Sequence, residues 1–289
     1  MPHCCRLLFA LPLGVWLSLP AIGEEAGSNS AQSAANFDTE HIFGFAEGSD
    51  IGAKGELEIE SVSVGSFGAA RGSYSNIGNE TSFRYVIINE LRLSVGSLTD
   101  YFNIHNVPGL NDRSAADFSG IITELRWHFL DWRTSPLGLT LSLNPFWRRA
   151  DPTSGQSSGN YAFPVTLLAD SEVIPDKFFT VLNLLYQASL LRPNGRFEHD
   201  DSFTVIAGGS YAISPSVLVG GEVRHENLAQ NGTLNAHALY VGPQLFVALG
   251  VDLNVKVAWA AQIPDFAAHT LDVTNYQRHQ VELQFAYTF

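Results

Sequence analysis

The residues best suited to chemistry in this chain are charged side chains that recur at alternate positions. Arg84, Arg92, Glu124, Arg126, Glu222, Arg224, Lys256, Arg278 and Glu282 fall on the face opposite the alternating apolar residues, as do Asn183, Gln187 and Gln284. Such a set does not resemble a catalytic constellation. It resembles a wall: opposite fixed charges facing each other across water set up a transverse field that favours polar solutes of suitable size. The three arginines Arg84, Arg92 and Arg126 fall in the first half of the chain, whereas Glu222 and Glu282 fall in the second. A second arrangement fits the same residues. Glu124 with Arg126, Glu222 with Arg224, and Lys256 with Glu282 form salt-bridge ladders that fill a narrow interior. Both arrangements stay open here. Either way the set holds six basic and three acidic residues, a basic-leaning interior in a chain of net charge -13.

Other chemistry finds little support. The eight histidines beyond residue 23 are scattered singly, without the His-x-His or His-x3-His spacing that gathers zinc. None is followed two places later by Ser, the short element carried by barrel phospholipases, so a lipid hydrolase at a barrel rim has no visible nucleophile and base. No catalytic residue, metal site or cofactor is expected. The stretch Glu47-Gly48-Ser49-Asp50, with Lys54-Gly55-Glu56, Glu58 and Glu60, has the carboxylates of a calcium loop but not the twelve-residue spacing. It reads as a solvated acidic loop at the cell surface, and Asn106 to Arg113 as a rigid turn that folds inward or caps a mouth.

The elements that must position the charged wall are strands. Apolar residues alternate with small or polar ones, most plainly at Leu137, Leu139, Leu141 and Leu143, and at Val281, Leu283, Phe285, Tyr287 and Phe289. Successive side chains on a strand point to opposite faces, so each segment has one apolar and one polar side. Twelve segments are expected: His41–Glu47, Ser73–Ile88, Leu91–Ile104, Phe118–Leu130, Leu137–Arg148, Asn160–Ala169, Phe178–Leu191, Ser202–Ala212, Val217–Glu226, Ala236–Leu249, Leu253–Gln262 and Tyr276–Phe289. Phe178, Leu182 and Leu185 also fit helical spacing, and Glu56 to Ser63 is assigned to the first long loop. Long and short connections alternate, which predicts loops sorted to one end and tight turns to the other, as in an antiparallel up-and-down transmembrane barrel. Trp127 and Phe129 at one set of strand ends, and Trp147, Tyr161 and Phe163 at the other, fit aromatic girdles.

Composition agrees. Charged residues make up 16% of the chain, below the ~25% usual for a soluble domain. No basic run exists to displace counterions from phosphates, which excludes nucleic-acid binding. Residues 1–23 read as an export signal, with Arg6 before an apolar core and Ala21-Ile22-Gly23 before cleavage at Glu24. Cys4 and Cys5 leave with it. Residues 24–39, rich in Ser, Ala and Glu, read as a flexible periplasmic leader, and residues 40–289 as the barrel.

The chain ends on Phe289, with Tyr287, Phe285, Leu283 and Val281 at every second place before it. This terminus resembles the β-signal of proteobacterial outer-membrane β-barrel proteins. The resemblance covers the last nine residues in detail. It implies an outer-membrane location, contact with membrane lipid, and recognition of that last strand by the barrel assembly machinery. The expected function is a passive porin-like channel for small polar solutes. The alternatives are a structural or surface-interaction barrel with a salt-bridge-filled lumen and, last, a rim lipid hydrolase.

Overall fold

The computed structural model describes residues 37–192, 198–230, 232–264 and 270–289. The expected export signal, its cleavage point between Gly23 and Glu24, and the leader up to residue 36 lie outside the described residues.

Thirteen strand segments follow one another: β1 (Leu57–Phe67), β2 (Ser73–Ile88), β3 (Leu91–His105), β4 (Arg113–Leu130), β5 (Gly138–Leu143), β6 (Phe146–Ala150), β7 (Ser157–Ile174), β8 (Phe178–Arg192), β9 (Glu198–Ser214), β10 (Val217–Gln230), β11 (Thr233–Ala248), β12 (Leu253–Ile263) and β13 (His279–Thr288). β5 and β6 are halves of a single strand, since both lie between β4 and β7. The break falls at Asn144-Pro145, where proline has no N–H to give the ladder. Every neighbour pairs antiparallel, and β1 pairs with β13 from Glu58↔Thr288 to Phe67↔His279. The sheet therefore closes on itself as a twelve-stranded barrel with no free edge.

Alternation decides which side of each strand faces in. On β13, Gln280, Glu282, Gln284 and Ala286 are buried, while Leu283, Phe285 and Tyr287 point outward. On β5, Thr140 and Ser142 are buried between outward leucines. β8 shows the same strict alternation, which settles its ambiguous spacing in favour of a strand. Trp127 with Phe129, and Tyr287 with Phe289, pack ring to ring at the tight-turn end. Tyr161 and Phe163 are exposed toward the other end, so the aromatic residues form two outward bands. No helix among the described residues is long and apolar enough to cross a membrane; the long dimension of this chain is carried by strands.

The first strand is not where the sequence pattern put it. His41 to Glu47 carries no strand, and β1 is Leu57–Phe67, within the segment assigned to a loop. The count of twelve survives because one strand replaces another. The reason is visible in Glu58 and Glu60, which keep strict period two with outward Leu57 and Ile59. They looked like acidic loop residues, whereas they are lumen-facing positions beside Arg84, which stands directly across from Glu58 and lies 3.5 Å from Glu60. Gly52 and Gly55, both at positive φ (83° and 88°), turn the chain into β1 at the tight-turn end.

Candidate functional site

The site is the lumen, and residues 38–50 are inside it. This segment has no strand or helix, yet all of it but Asp38 is buried. A buried backbone with no ladder must find its hydrogen-bond partners elsewhere. Here the barrel wall supplies them. Glu222 on β10 accepts from the amides of Gly44, Phe45 and Ala46 at 2.8, 2.7 and 2.9 Å. Asn183 on β8 accepts from Glu47 N and donates to Glu47 O, both at 2.8 Å. Asp170 on β7 accepts from Ser49 N at 2.9 Å and from its hydroxyl at 2.6 Å. Ser210 on β9 donates to Ile42 O.

Opposite Glu222, the plug presents a carboxylate to the arginines. Glu40 Oε1 lies 2.8 Å from Arg84 Nη1, 2.7 Å from Arg92 Nη2 and 2.9 Å from Arg126 Nη1, and its Oε2 lies 2.6 Å from Arg92 Nη1. All four residues are fully buried. The need for this carboxylate follows from the register: Arg92 stands directly across from Arg126 on adjacent strands. Like charges in that position repel, and Glu40 bridges them. Around the knot, Arg126 also meets Glu124 at 2.6 Å and contacts Glu47, while Arg84 reaches Glu58 and Glu60 at 3.6 and 3.5 Å. The plug thus spans the lumen with its carboxylate toward the cationic wall and its amides toward the acidic one.

Electrostatics inside the plug follow from this placement. Burial by itself raises the Glu40 carboxyl, but Arg92, Arg126 and Arg84 together overcome it and hold the group well below the usual carboxylate range. Glu47 is pushed up to about 8, chiefly by burial, with Arg126 opposing. His41, which meets Gln284 at 3.1 Å, is pushed down to about 3 by burial and stays neutral. Asp38, Glu40 and His41 cluster closely enough to suggest a cation site. The guanidiniums around Glu40 already occupy both of its oxygens, so that geometry suits arginine rather than a metal ion.

At the tight-turn end the plug is tied to the 131–137 connection. Arg133 forks onto Asp50 at 2.7 and 3.0 Å and lies over Trp132, 4.4 Å from its ring centre. Phe37 packs edge-on to Phe179. At the far tip, Phe45 lies under the Arg224 guanidinium, 4.2 Å from it.

The expected lumen residues sort as follows. Arg84, Arg92, Glu124, Arg126, Glu222, Arg224, Lys256 and Glu282 are all buried in the interior, and Lys256 pairs with Glu282 at 2.9 Å. Arg224 pairs with Glu226 at 2.9 Å and not with Glu222, which is committed to the plug. Arg278 is not a lumen residue: it has the parity of Gln280 but precedes the first residue of β13 and is exposed. Glu47, Glu58 and Glu60 are interior residues, not a surface loop: Glu47 contacts Arg126, and Glu58 and Glu60 lie beside Arg84. They join Glu40, Glu80 and Glu226 inside, so the lumen is not basic-leaning. Alternation gave no access to Glu40, Glu47 or Ser49, which lie on no strand. The excess of basic over acidic residues in the expected lumen was the one sign that carboxylates were missing from it.

Comparison with known proteins then adds the family. Residues 35–289 match a family of unknown function, DUF6662. The chain belongs to that family. No curated protein matches it. Among solved structures, the crystal structure of the COG4313 outer membrane channel from Pseudomonas putida F1 is similar, with a TM-score of 0.57 at 12% identity, covering 83% of this chain and 98% of that one. The β domain of the Bordetella autotransporter BrkA is also similar, with a TM-score of 0.52 at 12% identity, covering 82% of this chain and all of that one. These likenesses show the outer-membrane β-barrel fold.

Proposed function

We propose that this protein is an outer-membrane channel for small polar solutes whose lumen is held shut by its own N-terminal segment. The observation that carries the reading is the seat of Glu40, locked among Arg84, Arg92 and Arg126 while Glu222 holds the opposite limb of the plug. A segment that borrows nearly all its hydrogen bonds from side chains of the wall can leave without unzipping any strand, and the wall it leaves is polar and charged. The Pseudomonas protein of similar fold is a channel, which supports conduction here. The lipid-facing band, the two aromatic girdles and the terminal strand support an outer-membrane location, lipid contact and assembly by the barrel machinery. The reading is non-enzymatic and takes no cofactor: Thr140 Oγ1 lies 2.8 Å from His128 Nδ1, but that hydroxyl donates to Ser49 O of the plug and serves to hold it.

A second reading, a structural barrel with a filled lumen, is favoured by the completeness of the ion network around Glu40. Planar-bilayer recording separates the two. The full-length refolded barrel should be closed for most of the time, and a variant lacking residues 37–50 should conduct steadily. A variant that folds but stays silent overturns the channel reading and leaves the structural one. Conduction by the full-length barrel as large and steady as that of the variant overturns the plug.

A further inference from the structure

A recess lies in the lumen on the long-loop side of the plug. It is narrow and opens at a mouth, and Val62, Val64, Leu98, Ile122 and Phe146 form its apolar wall. Lumen-facing apolar residues are unusual beside so many charged ones, and all five of these are less than one-tenth exposed. Set into this wall is Glu80 of β2, 5% exposed.

Glu80 differs from the other interior carboxylates. Its cross-strand neighbours are Val62 on one side and Leu98 on the other. Along its own strand the same face carries Gly78 and Ser82. Among the described residues no ion pair reaches it, although Arg84 and Arg148 act on it at longer range. Arg84, the next charge along β2, is committed to Glu40 and to Glu60. Arg148, across the recess, pairs with Asp100 at 2.7 Å. Glu80 Oε1 has no hydrogen-bond partner, and neither does Asn76 Oδ1, also on the recess lining. A buried carboxylate without a counter-charge is costly, so a charge that enters from outside is stabilised there more than in water.

We propose that this recess binds a small organic cation, an ammonium group on an apolar body about the size of one ring. The ammonium meets Glu80, and the body lies against Val62, Leu98 and Phe146. Aromatic and aliphatic faces favour such a ligand over an inorganic cation, which gains nothing from the wall. Binding here needs no movement of the plug, so a failed conductance experiment leaves this inference standing.

The test is calorimetric titration of the full-length refolded barrel in detergent with benzylamine, against empty micelles, with benzyl alcohol as the uncharged body of matching shape. Saturable 1:1 binding of benzylamine is expected, at least tenfold tighter than benzyl alcohol. Glu80→Gln should weaken benzylamine at least tenfold and leave benzyl alcohol unchanged. Leu98→Trp, which fills the recess and keeps the carboxylate, should abolish binding, and it serves as the deciding variant if Glu80→Gln does not fold. Benzylamine titrating as it does into empty micelles, equal binding of the alcohol, or binding indifferent to the variant that folds overturns the proposal.

Discussion

Glu40 is one carboxylate serving three guanidiniums, two of them on facing positions of adjacent strands. Removing one member of a buried ionic group strands the others, at a cost of about 3–5 kcal/mol. Glu40→Gln should therefore shift the plug equilibrium toward withdrawal by about a hundred- to a few thousandfold, taking 1.4 kcal/mol per tenfold. Single-channel open probability reads this directly, and an unchanged value would show that the knot does not hold the plug. Glu47 gives a pH signature. Its carboxyl is raised to about 8 in the plugged lumen, while a withdrawn Glu47 titrates in the ordinary range. The plugged state thus holds a proton that the withdrawn state has released, and plugging weakens as pH rises toward that value. Between pH ~7.5 and ~9 the ratio of withdrawn to plugged should rise about fourfold and then level off. His41, lowered to about 3 when buried, is neutral in both states over this window and does not oppose the change. Glu47→Gln should flatten the response.

The elements show how a wall and a plug are specified differently. The wall follows from period two: once a strand is in register, alternate residues face the lumen whatever their chemistry. The plug follows from close approach. At Gly48 an added Cβ would fall 2.2 Å from the carbonyl oxygen of Thr39, so the two limbs of the plug meet backbone to backbone there. Gly48→Ala should part the limbs and raise open probability while the barrel still resists unfolding in detergent at low temperature; a closed channel would contradict this. β13 closes the ring against β1 and bears the terminal aromatic pair. Deleting Phe289 should reduce assembly into the outer membrane without blocking export across the inner one, as fractionation would show, and normal assembly would count against its role as a signal.

At the scale of the whole molecule, the plug touches strands on every side of the ring, from Arg84 on β2 through Asp170 on β7 to Glu222 on β10 and Gln284 on β13. It ties the barrel across its diameter. A variant lacking residues 37–50 leaves Arg92 and Arg126 facing each other without their shared carboxylate. It should unfold at lower temperature than the full chain, read by the temperature at which the compact band is lost on electrophoresis. Equal stability would mean that water and Glu124 suffice to separate the two charges.

Much of this was legible in the residues alone. Period two at Leu137 to Leu143 and Val281 to Phe289, and the sorting of long and short connections, determine an antiparallel barrel of twelve strands, because side-chain direction along a strand is local geometry. The same rule places Arg84, Arg126, Glu222 and Glu282 in the lumen. It fails at Arg278, where the strand begins one residue too late, and at Glu58 and Glu60, whose charge masked their alternation. What only the tertiary structure decided is the occupant of the lumen. Residues 38–50 form no strand, although His41 to Glu47 was expected as one, and their backbone is satisfied by side chains from strands more than a hundred residues away. Such partners leave no local mark in the sequence, and they turn an apparently open charged wall into a seat.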